Sequence, residues 1–225
     1  MNPNIAIAIL LITFVLLIMI KCPITFSMII STAFTMLYIQ VPVMTLVQQM
    51  SKQLNSFSLL AIPFFILMGE IMAAGGISSR LLAFANVCVG QITGGLAHVN
   101  VLASMLFGGI SGSAIADVSS LGALEIPMME EAGYEKDFSI AVTVASSCQG
   151  LIIPPSHNMV LYSMVAGGVS VGSLFCAGYI PGIMLGVFIM GMCYIISKKK
   201  HYPKGKKLPF KEALRVTKDT FFAML

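Results

Sequence analysis

The chain is a succession of long apolar blocks separated by short polar interruptions, and most of the blocks are continuous. Residues 5–20 (IAIAILLITFVLLIMI) and 24–39 are the first two. Lys21 and Pro23 divide them, and proline suits the first turn of the helix that follows. Residues 43–55 are different: Val43, Leu46, Val47, Met50 and Leu54 form an apolar stripe at helical spacing on a polar segment. Such a helix is expected to lie in a membrane interface. A third apolar span runs over 57–74, ends at Gly75-Gly76, and is followed by a short helix over 78–89 bearing Arg80. The last span covers 173–196, with Gly178, Gly182 and Gly186 at four-residue spacing as a face for close helix contact. Unbroken runs of this kind predict helices; a β-barrel would show alternation.

Composition sharpens this into a class. Hydrophobic residues make up 57% of the 225 and charged residues 10%, against about a quarter charged in a soluble domain. There is too little polar surface to cover a water-soluble globule. The fold class is therefore an all-α polytopic membrane protein. The block at 5–20 does not read as a signal peptide, because no basic segment precedes it and no A-x-A site follows. The five cysteines are scattered without a CxxC pair, which suggests neither a metal site nor a disulfide framework.

Charge placement adds a topology. Seven of the thirteen basic residues lie between Lys198 and Lys211. A nucleic-acid patch would also be basic, but at the end of a span this run reads as a cytoplasmic tail, and no nucleic-acid partner is expected. Counting five spans and one hairpin puts the N-terminus in the periplasm and the C-terminus in the cytoplasm. Lys21, Arg80 and Lys136 then fall inside, and Lys52 falls outside.

Two regions depart from simple spans. Residues 95–130 allow two arms of roughly 16 residues, each about 24 Å long, short of the roughly 30 Å hydrocarbon core. Between the arms lies GGISGSAIAD (108–117), small and polar, so a re-entrant hairpin with a protein-buried tip is expected. Residues 138–167 read as one span, yet contain GLIIPPSHN (150–158), and paired prolines break a helix. Half-helix ends at membrane depth offer free N–H groups to anions and free carbonyls to sodium, which is secondary-transporter architecture. Serine hydroxyls add oxygen ligands: Ser111, Ser113 and Ser156, with Asn158 a further candidate and Ser146, Ser147 and Gln149 a polar patch before the break. Of the acids, Glu70, Asp117 and Glu125 sit at membrane depth. Glu70 reads as snorkelling and Glu125 as an end-of-arm residue. Asp117, one helical turn after Ser113, is the functional candidate.

GGISGSAIAD (108–117), IPMMEEAGY (126–134), ASSCQGLIIPPS (145–156), GSLFCAGYIPG (172–182) and SFSLLAIPFFILMGEIM (56–72) resemble the large membrane subunit of tripartite ATP-independent periplasmic (TRAP) transporters, the DctM type. The resemblance covers essentially the whole chain. It implies an elevator-type, Na⁺-coupled importer of organic acids, such as dicarboxylates or sugar acids, in the bacterial inner membrane. It also implies two partners: a small four-helix membrane subunit and a periplasmic substrate-binding protein. Na⁺ is the coupling ion, no other cofactor is implied, and the protein is not an enzyme. By the same resemblance, Gly109, Ser111, Gly112, Ser113, Asp117, Gly150, Pro154 and Pro155 form a sodium site. Gln149, Ser156, His157 and Asn158 are expected to face substrate. Family members commonly continue IIPPS with an apolar residue, whereas His157-Asn158 follow here.

The family chain is roughly twice this length and is built from two inverted repeats. This chain is expected to be one repeat: scaffold-type spans and interfacial helix (1–55), third span and arm helix (56–90), transport-type region (91–196) and basic cytoplasmic linker (197–225). A second chain carrying the other repeat is then a further expected partner, and a truncated or split reading frame is one explanation. Two rivals remain open. Gly109-Ile110-Ser111-Gly112 matches the GxSG of rhomboid-type intramembrane serine proteases, with His157 on a later span, but no glycine follows that histidine within a turn. A channel or assembly factor made from a non-transporting half-domain is the other.

Overall fold

A computed structural model describes residues 3–54, 57–205 and 209–224. Among these the regular structure is helical, and two compact units divide near residue 59.

The first unit pairs α1 (Pro3–Met19) with α2 (Ile24–Tyr38) through a tight turn in which Lys21 takes a left-handed φ of 63°. At 1.5 Å per residue these helices reach about 25 and 22 Å. Ile7, Leu11, Ile12 and Val15 on α1 are exposed, as suits lipid rather than water. α3 (Met44–Leu54) follows, and Val47, Met50 and Leu54 of the expected stripe lie exposed along it, with Val43 exposed just before it. α4 (Phe57–Ala74) runs across the division.

The second unit is built around α6 (Gly95–Ser111), of whose 17 residues 12 are buried. α5 (Ile77–Val89) packs on one side; α9 (Lys136–Ser147) and α11 (Val171–Lys200) pack on others. Two apolar clusters fill the spaces. Leu81, Ala85, Val99, Ala103, Phe107 and Leu121 lie toward α5. Ala97, Val101, Met129, Val142, Ile189 and Cys193 lie toward α9 and α11.

After α6 the chain turns at Gly112, with φ 62°, and continues as α7 (Ala114–Ser120) and α8 (Gly122–Glu131). The interruption is much narrower than the ten-residue segment 108–117. Gly108–Ser111 still belongs to α6, and Asp117 already lies in α7. The reason is local: Ser113 caps α7, its hydroxyl accepting from the Ala116 N–H at 3.4 Å, so helix resumes at once.

The second interruption falls where the prolines stand. α9 tightens into a 3-10 turn (Cys148–Leu151), the chain leaves helix over 152–156 with a cis Pro154–Pro155 bond, and α10 (His157–Ala166) follows.

At 30 residues, about 45 Å, α11 alone among the described helices is both long and apolar enough by itself to cross a bilayer. Its glycine face behaves as the spacing predicts. Gly178 backs onto the Ile152 carbonyl, Gly182 onto the Ile153 side chain, and Gly186 onto Met105 and the Gln149 amide. The three missing side chains leave the groove in which the non-helical segment lies.

Beyond α11 the chain folds back on residues 90–94, with Gly94 N–H donating to the Pro203 carbonyl (3.2 Å) and Gly205 N–H to the Gly90 carbonyl (3.1 Å). The expected linker then forms α12 (Phe210–Met224), packed on α5, with the Thr220 hydroxyl donating to the Arg80 carbonyl at 3.1 Å. Ala213, Val216 and Thr220, spaced three and four apart, are its less exposed residues, while Glu212, Arg215 and Asp219 stay exposed.

Candidate functional site

The two interruptions meet. A Cβ on Gly108 would stand 2.6 Å from the Gly150 Cα, and one on Gly112 would overlap the Pro155 carbonyl oxygen. A Cβ on Gly109 would sit 3.6 Å from the Pro154 oxygen. Side chains at Gly108 and Gly112 would hold the two segments apart, so the backbone carbonyls of the break approach the turn after α6 directly. Six of the eight sodium candidates therefore belong to one small region: Gly109, Gly112 and Ser113 from the turn, Gly150, Pro154 and Pro155 from the break. Ser111, buried at the end of α6, joins them; its hydroxyl accepts from the Ser113 N–H at 3.4 Å.

Asp117 stands one turn away, its N–H bonded to the Ser113 carbonyl (3.1 Å). Its carboxylate is buried, with the Ser104 hydroxyl beside it. Glu125, read from the sequence as an end-of-arm residue, is also buried, and its carboxylate has no hydrogen bond among the described residues.

A cavity of about 260 Å³ opens beside the turn. Ser111, Ser113 and Ser120 line it with Glu70 and Gly69 of α4, Phe107 and His157. Of the four residues expected to face substrate, His157 lines this space. Its ring lies 6.5 Å from that of Phe65, and its Nε2 has no hydrogen-bond partner among the described residues. Asn158 is exposed. Ser156 is buried, its hydroxyl donating to the Leu151 carbonyl at 2.7 Å, and Gln149 is buried against Gly186. These four do not converge on one surface within this chain. Glu70, exposed at its backbone position, turns out to border the cavity.

Behind the turn lies a network that the sequence only half showed. Asn100 Nδ2 donates to Thr143 Oγ1 at 2.7 Å, Ser146 Oγ donates to Asn100 Oδ1 at 2.8 Å, and Ser104 and Ser146 hydroxyls are 3.1 Å apart. Ser146 belonged to the polar patch before the break. Asn100 and Ser104 escaped notice, although a four-residue spacing of polar groups within an apolar helix marks one face. They fasten α6 to α9, the two helices that end at the interruptions.

Serine 111 and His157 border the same cavity, yet no hydrogen bond joins them, and the Ser111 hydroxyl is engaged with the Ser113 backbone. Comparison with known proteins decides between the readings. The family described as "Tripartite ATP-independent periplasmic transporter, DctM component" matches residues 11–225. The chain belongs to this family. It is 42% identical over 204 residues to the sialic acid TRAP transporter large permease protein SiaM of Vibrio cholerae, covering 90% of this chain and 48% of that one. It is 41% identical over 169 residues to the C4-dicarboxylate TRAP transporter large permease protein DctM of Pseudomonas aeruginosa, covering 75% and 39%. An uncharacterized protein, YgiK, of Salmonella typhimurium is 40% identical over 216 residues, covering 95% and 50%. The chain thus spans about half the length of SiaM and YgiK and 39% of the Pseudomonas DctM. The DctM family is one of membrane permeases, not enzymes, and the protease reading falls with that membership.

Proposed function

We propose that this chain forms one inverted-repeat half of the large permease subunit of a Na⁺-coupled TRAP transporter that imports organic acids across the bacterial inner membrane. The observation that carries the reading is the approach of the hairpin turn to the proline break, Gly108 on Gly150 and Gly112 on the Pro155 carbonyl. Na⁺ is a hard cation that takes oxygen ligands. The C-terminal carbonyls of α6 and of the 3-10 turn, with the Pro154 and Pro155 carbonyls, supply such ligands without added formal charge. Ser111 and Ser113 add hydroxyl oxygens, and Asp117 acts on the ion by charge from one turn away.

In this reading α6, α7 and α8 make a re-entrant hairpin, and α9–α10 a broken span. Together they ride as the moving part of an elevator, with α1–α3 on the fixed side. The N-terminus is periplasmic and the basic end of α11 cytoplasmic. Two of the relatives are named for sialic acid and C4-dicarboxylates, both organic anions, which supports an organic acid as cargo. Substrate sits at the repeat interface in such transporters, so His157 and the cavity beside it supply one wall. Partners are a chain carrying the second repeat, the small membrane subunit and a periplasmic binding protein.

Proteoliposomes test this. The chain alone should show no sodium-driven uptake. Co-reconstituted with the second repeat, the small subunit and a loaded binding protein, it should accumulate an organic acid only under an inward Na⁺ gradient. Uptake by the complete assembly that ignores the Na⁺ gradient would reject the sodium coupling.

A further inference from the structure

α11 ends in Lys198–Lys200, while Phe188, Met192 and Ile195 just before them are strongly exposed. By hydropathy, the membrane surface crosses the helix between Ile195 and Lys199. An open groove of about 730 Å³ lies at that level, bordered by Glu135, Asp137, Phe138, Ile195, Lys199 and Lys200. Two of its four charged groups pair with each other. Lys200 pairs with Glu135, and the Glu135 N–H donates to the Tyr202 hydroxyl at 3.3 Å. Behind it the Tyr202 ring stacks on Tyr134 at 4.3 Å and lies 5.3 Å from Phe138. Aromatic rings with polar edges at this depth match the interfacial belt of membrane proteins.

The groove carries two carboxylates and two ammonium groups, so its formal charge is zero. A wholly basic pocket would favour an anionic headgroup. A neutral pocket with separated charges favours a zwitterion, with phosphate on the lysines and a cationic amine on the carboxylates. A primary ammonium donates hydrogen bonds to carboxylates, which a quaternary choline lacks the N–H to do. The apolar wall of Ile195 and Phe138 then continues toward the acyl chains.

We propose that this groove binds the headgroup of a phospholipid with a primary ammonium, its phosphate on Lys199 and Lys200 and its amine on Asp137 and Glu135. The test uses the full chain in nanodiscs of phosphatidylethanolamine, phosphatidylcholine and phosphatidylglycerol in equal parts. Lipids retained after gentle extraction are counted by native mass spectrometry. Phosphatidylethanolamine should be retained several-fold over the other two. Asp137→Asn and Lys199→Gln, both exposed and not expected to disturb folding, should each remove the preference, while Lys52→Gln, on α3, should leave it intact. Equal retention of the ethanolamine and choline lipids would overturn the proposal, as would preference for the glycerol lipid. So would variants at Asp137 and Lys199 that both retain lipid like the unaltered chain.

Discussion

Gly108 of α6 and Gly150 of the 3-10 turn lie back to back, so that a Cβ on the first would stand 2.6 Å from the Cα and 2.9 Å from the nitrogen of the second. Neither partner in that contact is a side chain that can swing away. Gly108→Ala should therefore lower stability by about 1–3 kcal/mol through overpacking. Gly191→Ala, on a part of α11 where an added Cβ meets nothing within 4 Å, serves as its control. There stability should be unchanged or rise by up to about 1 kcal/mol from helix propensity. Thermal unfolding of both variants in lipid decides the matter; equal effects would mean that the turn and the break are not in contact.

The seat of the break on α11 predicts a coupled pair. Gly182→Ala would drive a methyl into Ile153, which is buried. That should destabilise by about 1–3 kcal/mol, and Ile153→Ala by about 2–5 kcal/mol from the space it leaves. Combined, each substitution relieves the other, so the double variant should lose less than the sum by roughly 0.5–3 kcal/mol. Simple additivity would show that the glycine face packs against something else.

The network behind the turn predicts a second coupling. Asn100→Ala removes the donor to Thr143 and the acceptor for Ser146. A loss of about 1–3 kcal/mol is expected where buried partners are left unpaired, although interhelical hydrogen bonds in membranes average only about 0.6 kcal/mol. Thr143→Val should cost less in the Asn100→Ala background than in the unaltered protein. Identical costs in the two backgrounds would place Thr143 outside the network.

Sodium dependence separates the two kinds of ligand. In the assembled transporter, Pro154→Ala with Pro155→Ala should let the helix close and withdraw the carbonyls, abolishing Na⁺ dependence. Asp117→Asn keeps size and removes charge, and should lower apparent Na⁺ affinity by several-fold or more. Delivery by the binding protein should be unaffected. An unchanged Na⁺ response in Asp117→Asn alone would make this a backbone site with no electrostatic part for Asp117. If neither change matters, sodium is held elsewhere.

The sequence by itself determined the class and the punctuation. Continuous apolar runs with few charges require helices in lipid, because a backbone there must satisfy its hydrogen bonds internally. Gly112 and Pro154-Pro155 mark the two interruptions, since glycine admits the left-handed turn and proline removes the donors a helix needs. The four-residue glycine spacing likewise announced a close-packed face on α11. These are local properties, written in a few consecutive residues. Which face meets which is not local. That the glycines of α11 receive the proline break, and that Gly108 finds Gly150, depends on helices distant in sequence packing at van der Waals range. The width of the turn after α6 is hidden for a related reason: small polar residues read as irregular, whereas the Ser113 cap restarts helix after two residues. The basic end segment reads as a cytoplasmic linker because charge dominates its composition. Only packing shows that Ala213, Val216 and Thr220 form a stripe that docks on α5. His157, adjacent in sequence to Ser156 and Asn158, was grouped with them. The start of α10 sends the three side chains to different surroundings, and tertiary structure alone decides that His157 borders the cavity while Ser156 is buried in the break.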